Sequence, residues 1–132
     1  MRVLIASAGG HGQVVADILR CMQEVTGDVV PIGYVDDDPA LIGQERLGLP
    51  VLGNLNQLQT IPHDRVIVAI GDNATRRRVF EGLQAQGEQF VTAQHPRATV
   101  AASAQIGPGT MICAGVVVNA ASSVGANCIL NT

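Results

Sequence analysis

Aromatic residues are nearly absent from this chain, at 2% of the sequence, and charged residues are scarce at 14%. The first shortage removes the stacking platforms on which single-stranded nucleic acid binding depends, and it leaves Val, Ile, Leu and Ala to build any core. The second, with a net charge of -3, leaves no basic footprint for DNA, RNA or an anionic membrane. No apolar run approaches the roughly 18 residues of a membrane-spanning helix, so membrane insertion is not expected. The opening Met1 to Ala6 is apolar, but Gly9, Gly10, His11 and Gly12 interrupt it before a signal-peptide core can form. It reads as a buried strand. Cysteine is also sparse: Cys21, Cys113 and Cys128 are an odd set without metal-type spacing. That pattern suits structural thiols in a reducing cytoplasm and predicts neither a disulfide framework nor a metal site.

What is present divides in two. From Val100 onward, aliphatic residues recur every six positions, at Val100, Ile106, Ile112, Val118, Val124 and Leu130. Four places after each of the first five stands a compact side chain: Ala104, Thr110, Val116, Ser122 and Cys128. A short fixed period means that one unit cannot bury its apolar residue alone, so successive coils must stack around a shared core. The ladder begins beyond Gln94-His95-Pro96-Arg97, which sets the expected boundary between a unit of residues 1–95 and one of residues 96–132.

The first unit alternates strand and helix signals. Val3 to Ser7 is an apolar run ending in glycines. From His11 to about Glu24, Val14, Val15, Ile18, Leu19 and Met22 form a helical stripe. Val29 to Val35 reads as a second strand, stopped by Asp36-Asp37-Asp38-Pro39. Gly43 to Asn54 reads as a loop with one short strand at most, and Leu55 to about Gln59 as a helical turn. Arg65 to Ile70 is a buried strand, Ala74 to about Gln86 a helix capped by Asp72 or Asn73, and Phe90 to Thr92 a last strand. Alternating units with near-continuous apolar strands predict an α/β fold: a parallel, Rossmann-like sheet covered by helices on both faces.

In such sheets ligands sit at the carboxyl ends of the strands. Three groups fall there: Gly9-Gly10-His11-Gly12, Asp36-Asp37 and Gly71-Asp72-Asn73. The glycines lead into a helix N-terminus, where free N–H groups and the macrodipole favour a phosphate. Ser7, Gly9 and Gly12 fit the G-x-G-x-x-G fingerprint except that serine takes the first place. A tight turn with close helix packing is the structural alternative for the glycines. His11 interrupts them at a solvent-facing turn, where contact to a bound ligand is preferred to the alternative of idle exposure. Asp36 stands where dinucleotide-binding folds place a ribose-binding acid, and Asp36 and Asp37 are candidates for contacts to a ribose or base. The alternative, a solvated turn, is preferred for Asp38. Arg76, Arg77 and Arg78 are consecutive on a helix, point in three directions and read as a solvated helix start. His63, between Pro62 and Asp64, is given no role.

These residues resemble the NeuD/PglD-like sugar acyltransferases. The resemblance rests on S-A-G-G-H-G at Ser7 to Gly12, Y-V-D-D at Tyr34 to Asp37, A-I-G-D-N-x-x-R-R at Ala69 to Arg77, and the ladder ending C-I-L-N-T. It implies a Rossmann-like domain that binds a nucleotide sugar, followed by a left-handed parallel β-helix. It also implies a homotrimer, with acyl-CoA, typically acetyl-CoA, held between neighbouring β-helices. By the resemblance, Gly9, Gly10 and His11 contact the acceptor, Asp36 and Asp37 its nucleoside, and Gly71 its approach to the sheet. The acceptor is a nucleotide-activated sugar, a UDP-linked amino sugar being the first expectation, or a sialic-type sugar.

In the family a histidine general base follows the Asn-Thr pair matched by Asn131 and Thr132, so Asn131 is expected to border the active site, and the base to lie beyond Thr132. The activity implied is transfer of an acyl group from acyl-CoA to a sugar amine or hydroxyl, with residues 1–132 alone expected to be inactive. The alternative is a non-catalytic nucleotide-sugar-binding module whose ladder serves oligomerisation. A NAD-linked oxidoreductase would need the first fingerprint glycine and a catalytic domain.

Overall fold

The computed structural model describes residues 1–131. Five strands form the first sheet: β1 (Arg2–Ala6), β2 (Val30–Val35), β3 (Glu45–Arg46), β4 (Leu49–Gly53) and β5 (Arg65–Val68), in the order β3-β4-β2-β1-β5. All pairings are parallel except β3 with β4. Side chains alternate across a strand, so β1 serves two cores. Val3 and Ile5 pack beneath α1 (Gly10–Thr26) with Val15, Leu19 and Tyr34. Leu4 and Ala6 pack with Leu58, Phe80 and Leu83, beneath a 3-10 helix (Leu55–Thr60) and α2 (Asn73–Ala85). Each fully buried Leu or Ile here contributes about 1.5–3 kcal/mol relative to exposure. Of the expected α1 stripe, Val14 is the exception and remains exposed.

Two elements differ from the sequence reading. Residues 45–53 form a β-hairpin rather than a loop with one strand. Its two connecting residues, Leu47 and Gly48, both have positive φ, at 52° and 73°, the twist that a two-residue hairpin requires. Leucine is a poor advertisement for such a turn. The expected last strand at Phe90 to Thr92 reduces to one bridge between Phe90 and Val66. The strand that follows, β6 (Ala93–Gln94), pairs with Met111–Ile112 of the ladder instead.

The ladder residues fall on two-residue strands: β7 (Thr99–Val100), β8 (Gln105–Ile106), β9 (Met111–Ile112), β10 (Val117–Val118), β11 (Ser123–Val124) and β12 (Ile129–Leu130). Thr99 pairs with Val117, Gln105 with Ser123 and Met111 with Ile129. Each coil therefore has three faces and closes after three six-residue units. The architecture is a Rossmann-like sheet followed by the start of a left-handed parallel β-helix. Thr110 is fully buried; its hydroxyl donates to the Gly125 carbonyl at 2.8 Å. Ala93 and Met111 share one core with Val3, Val15 and Leu19, so the sheet and the coil are packed together. No helix among the described residues is long and apolar enough to cross a membrane.

Candidate functional site

The strands β1, β2 and β5 are parallel neighbours, with β1 in the middle, so their carboxyl ends open on the same side. The chain order reverses across β1, and this is where open α/β sheets form a crevice. A cleft of about 210 Å³ lies there, lined by Ser7, Val35, Asp36, Asp37, Ile70 and Arg78 among others. Asp36 and Asp37 thus meet in one cleft with the end of β1. Gly9, Gly10, His11 and Gly71 are not part of its lining.

The segment after β1 is held from several sides. Ser7 donates its N–H to the Val35 carbonyl at 2.8 Å, and Ala8 donates to Asp36 Oδ2 at 2.8 Å. Ser7 has φ of 107°, a conformation open to glycine and strained for serine. The glycines that follow have unlike reasons for being there. A Cβ on Gly12 would run into the Ser7 carbonyl, so close helix-to-strand packing explains it. A Cβ on Gly10 or on Gly71 would meet nothing within 4 Å, and one on Gly9 only Ser7 Oγ at 3.7 Å. Packing does not account for those three. The first intrahelical bond of α1 runs from Gln13 N–H to the Gly9 carbonyl at 3.1 Å, which leaves the amides of the first turn available.

His11 is half-buried near Arg76. Burial, and secondarily the Arg76 charge, hold its pKa below the ordinary histidine value of 6.5. Its Nε2 is buried without a hydrogen-bond partner among the described residues. Asp36 also accepts from Asp38 N–H at 2.9 Å, so it joins the β1 and β2 turns. Asp37 Oδ1 accepts from Leu55 N–H at 3.0 Å and fixes the start of the 3-10 helix. Asp38 Oδ1 accepts from Ala40 N–H at 3.0 Å in an exposed turn. Asp72 caps α2 through Thr75, whose hydroxyl and N–H both donate to it and lower its pKa.

The three arginines correct the sequence reading. Arg77 is solvated and pairs with Glu81 at 3.0 Å, as expected of an exposed helix face. Arg78 lines the cleft. Arg76 is only 8% exposed. Its Nη1 donates to the carbonyls of Ile70 and Gly71 at 3.1 and 3.2 Å, Nη2 donates to Asn73 Oδ1 at 2.8 Å, and Nε donates to the Asn127 carbonyl at 3.1 Å. One side chain thus joins the end of β5, the start of α2 and a corner of the coil. Composition offers no signal for this, since three consecutive arginines differ only in helical phase.

His63 and Glu88 form a part-buried pair, and the other ring nitrogen of His63 faces the Ile61 carbonyl at 2.6 Å. Asn131 is exposed at the coil end, where its Oδ1 accepts from the Cys113 thiol at 3.3 Å; Thr132 lies outside the described residues. The cysteines are free, and burial raises the Cys113 thiol pKa. Asp17, Cys21 and His95 bring possible metal-ligand atoms within 4.8 Å of one another. The Arg97 N–H donates to His95 Nδ1 at 3.0 Å, which places the neutral ring's proton on Nε2 and removes both nitrogens as ready ligands.

Residues 2–83 match the family model described as the PglD N-terminal domain. The chain is 33% identical over 115 residues to a UDP-N-acetylbacillosamine N-acetyltransferase of Bacillus subtilis (strain 168), covering 85% of this chain and 51% of that protein. Among solved structures it is similar to PerB from Caulobacter crescentus in complex with CoA and GDP-perosamine. That match has a TM-score of 0.86 and 36% identity, covering 100% of this chain and 60% of the other. It is likewise similar to the acetyltransferase domain of PglB from Neisseria gonorrhoeae FA1090 in complex with acetyl coenzyme A. There the TM-score is 0.86 and identity 33%, with 99% of this chain and 62% of that one covered. The chain therefore spans about half to three-fifths of the length of these relatives.

Proposed function

The chain belongs to the family of the PglD N-terminal domain, among the NeuD/PglD-like sugar acyltransferases, and from this premise we propose that residues 1–95 bind a nucleotide sugar and residues 96–132 begin the coil on which acyl transfer takes place. The observation that carries the proposal is the crevice. Asp36 and Asp37 stand in one cleft beside the segment leading to free helix amides, and Gly9, Gly10 and Gly71 are glycines that packing does not demand. Asp37 retains an oxygen for ribose or base, and the amides after Gly9 suit a diphosphate. The unpartnered Nε2 of His11 is proposed to meet the sugar end, and Gly71 leaves room for its approach.

The full reaction proposed is acetyl transfer from acetyl-CoA to a sugar amine. The amine nitrogen attacks the thioester carbonyl, a general base takes its proton, the carbon–sulfur bond breaks and CoA leaves as the thiol. Attack by a sugar hydroxyl is the variant of the same step. A homotrimer and a cytoplasmic location are part of the proposal, the latter supported by three free thiols. Residues 1–132 alone are proposed to give no turnover, because the resemblance puts the base beyond Thr132 and Asn131 only at the border of that site. A non-catalytic binding module is the second reading, favoured by the engagement of His63 with Glu88 and of His95 with Arg97.

Thermal denaturation with UDP- and GDP-linked amino sugars tests the crevice. A ligand at 100 times its Kd adds about 2.7 kcal/mol of stability. A nucleotide sugar should raise the midpoint and NAD should not; a shift with NAD alone overturns both readings. Thiol release from acetyl-CoA by residues 1–132 at ordinary rates would refute their proposed inactivity. Release by a protein extended past Thr132 would exclude the non-catalytic reading.

A further inference from the structure

We infer that Arg76 is a positioning residue, which fixes the Ile70–Gly71 turn of the crevice to the coil corner at Asn127, so that the sugar end of a bound ligand is presented to the ladder in one geometry. The inference rests on the nucleotide-sugar reading above.

A buried guanidinium is costly unless its N–H groups are met by acceptors. Here every guanidinium nitrogen donates, and the four acceptors come from three parts of the fold. An apolar side chain of similar volume would leave these acceptors without a donor. The acceptors join two regions with separate proposed tasks. Ile70 lines the cleft, and its carbonyl and that of Gly71 take one end of the planar fork. Asn127 takes the other end while sitting at a coil corner with φ of 56°, its N–H donating to the Pro108 carbonyl at 3.0 Å. The corner's position relative to β5 is thus set by one rigid planar group. The charge of the same guanidinium reaches His11 and lowers its pKa, so the residue proposed to meet the sugar is within the clamp's electrostatic range. Lysine could supply the charge but not the fork.

The test uses residues 1–132 with UDP-N-acetylglucosamine and GDP-mannose as probes, measured by calorimetry and by hydrogen exchange at residues 125–129. The unmodified chain is expected to bind at least one probe and to show slower exchange at this corner when it does. Arg76→Gln should weaken that binding by about tenfold, because the turn is no longer fixed for the ligand, and should abolish the slowing. Arg76→Lys should restore part of the affinity without the slowing. Should Arg76→Gln fail to fold, Asn73→Ala removes one acceptor and leaves the guanidinium otherwise paired; a two- to threefold weakening is then expected. Binding and slowing unchanged in the folded variants overturn the role of Arg76 while leaving the crevice intact. No binding of either probe to the unmodified chain overturns the nucleotide-sugar reading, and the inference with it.

Discussion

Asp36 Oδ2 accepts the N–H of Ala8 at 2.8 Å, so the acid after the second strand fastens the turn after the first. Its Oδ1 accepts from Asp38. Asp36→Ala leaves two backbone donors without this partner and should lower stability by about 1–3 kcal/mol, read from urea denaturation. Nucleotide-sugar binding should weaken at the same time, because the turn is no longer held. Asp36→Asn keeps one accepting oxygen and should fall between. A stable Asp36→Ala chain that has lost only binding would show that the carboxylate faces ligand alone.

The glycines of the crevice separate packing from ligand contact. Gly12→Ala drives a Cβ into the Ser7 carbonyl and should cost about 1–3 kcal/mol or more. Gly10→Ala meets open space and should leave stability unchanged or raise it by up to about 1 kcal/mol, alanine being the better helix former. Gly71→Ala should also leave stability unchanged. Both should weaken nucleotide-sugar binding, compared by calorimetry. Undiminished affinity in both would remove these glycines from the site.

Ser7 holds the first place of the fingerprint with φ of 107°. Ser7→Gly relieves strain of order 1–3 kcal/mol against the greater freedom of glycine in the unfolded chain. A net gain of about 1 kcal/mol is expected, seen as a higher urea midpoint with an unchanged slope.

His11 makes stability depend on pH with a definite sign. Its folded pKa lies below the ordinary 6.5 through burial first and Arg76 second, so the unfolded chain binds the proton more readily. The associated stability is complete above the unfolded value. It is lost as the pH falls through that value and on to the folded one. His11→Gln should flatten this part of the curve, measured by urea midpoints from pH 7.5 to 5. In a proton NMR titration, Arg76→Gln should raise the His11 midpoint and Arg76→Lys should keep it low.

The ladder was legible because its period is built from side chains: Val100, Ile106, Ile112 and their successors each take the corresponding place on a strand. Ala93–Gln94, ahead of the ladder's first aliphatic residue, already pairs with Met111–Ile112. Position 94 is one period before Val100, and glutamine there conceals it from a hydrophobic pattern. The crevice acids were legible by spacing after the glycines, although their hydrogen bonds to Ala8 and Leu55 were not. Arg76 was hidden for a different reason. A side chain that turns inward to meet carbonyls carries no signature, because its partners are backbone atoms brought near by the fold.

Strand pairing across 18 positions, as between Thr99 and Val117, makes the coil a counting device. Excising six residues would keep every aliphatic side chain pointing inward while rotating all that follows by a third of a turn, onto the next side of the prism. Excising eighteen would shorten the prism by one storey and return each later residue to its own side. The direction in which a ladder residue looks is therefore fixed by arithmetic modulo eighteen, and inward phase, modulo six, can survive a change that turns the residue away from its partner.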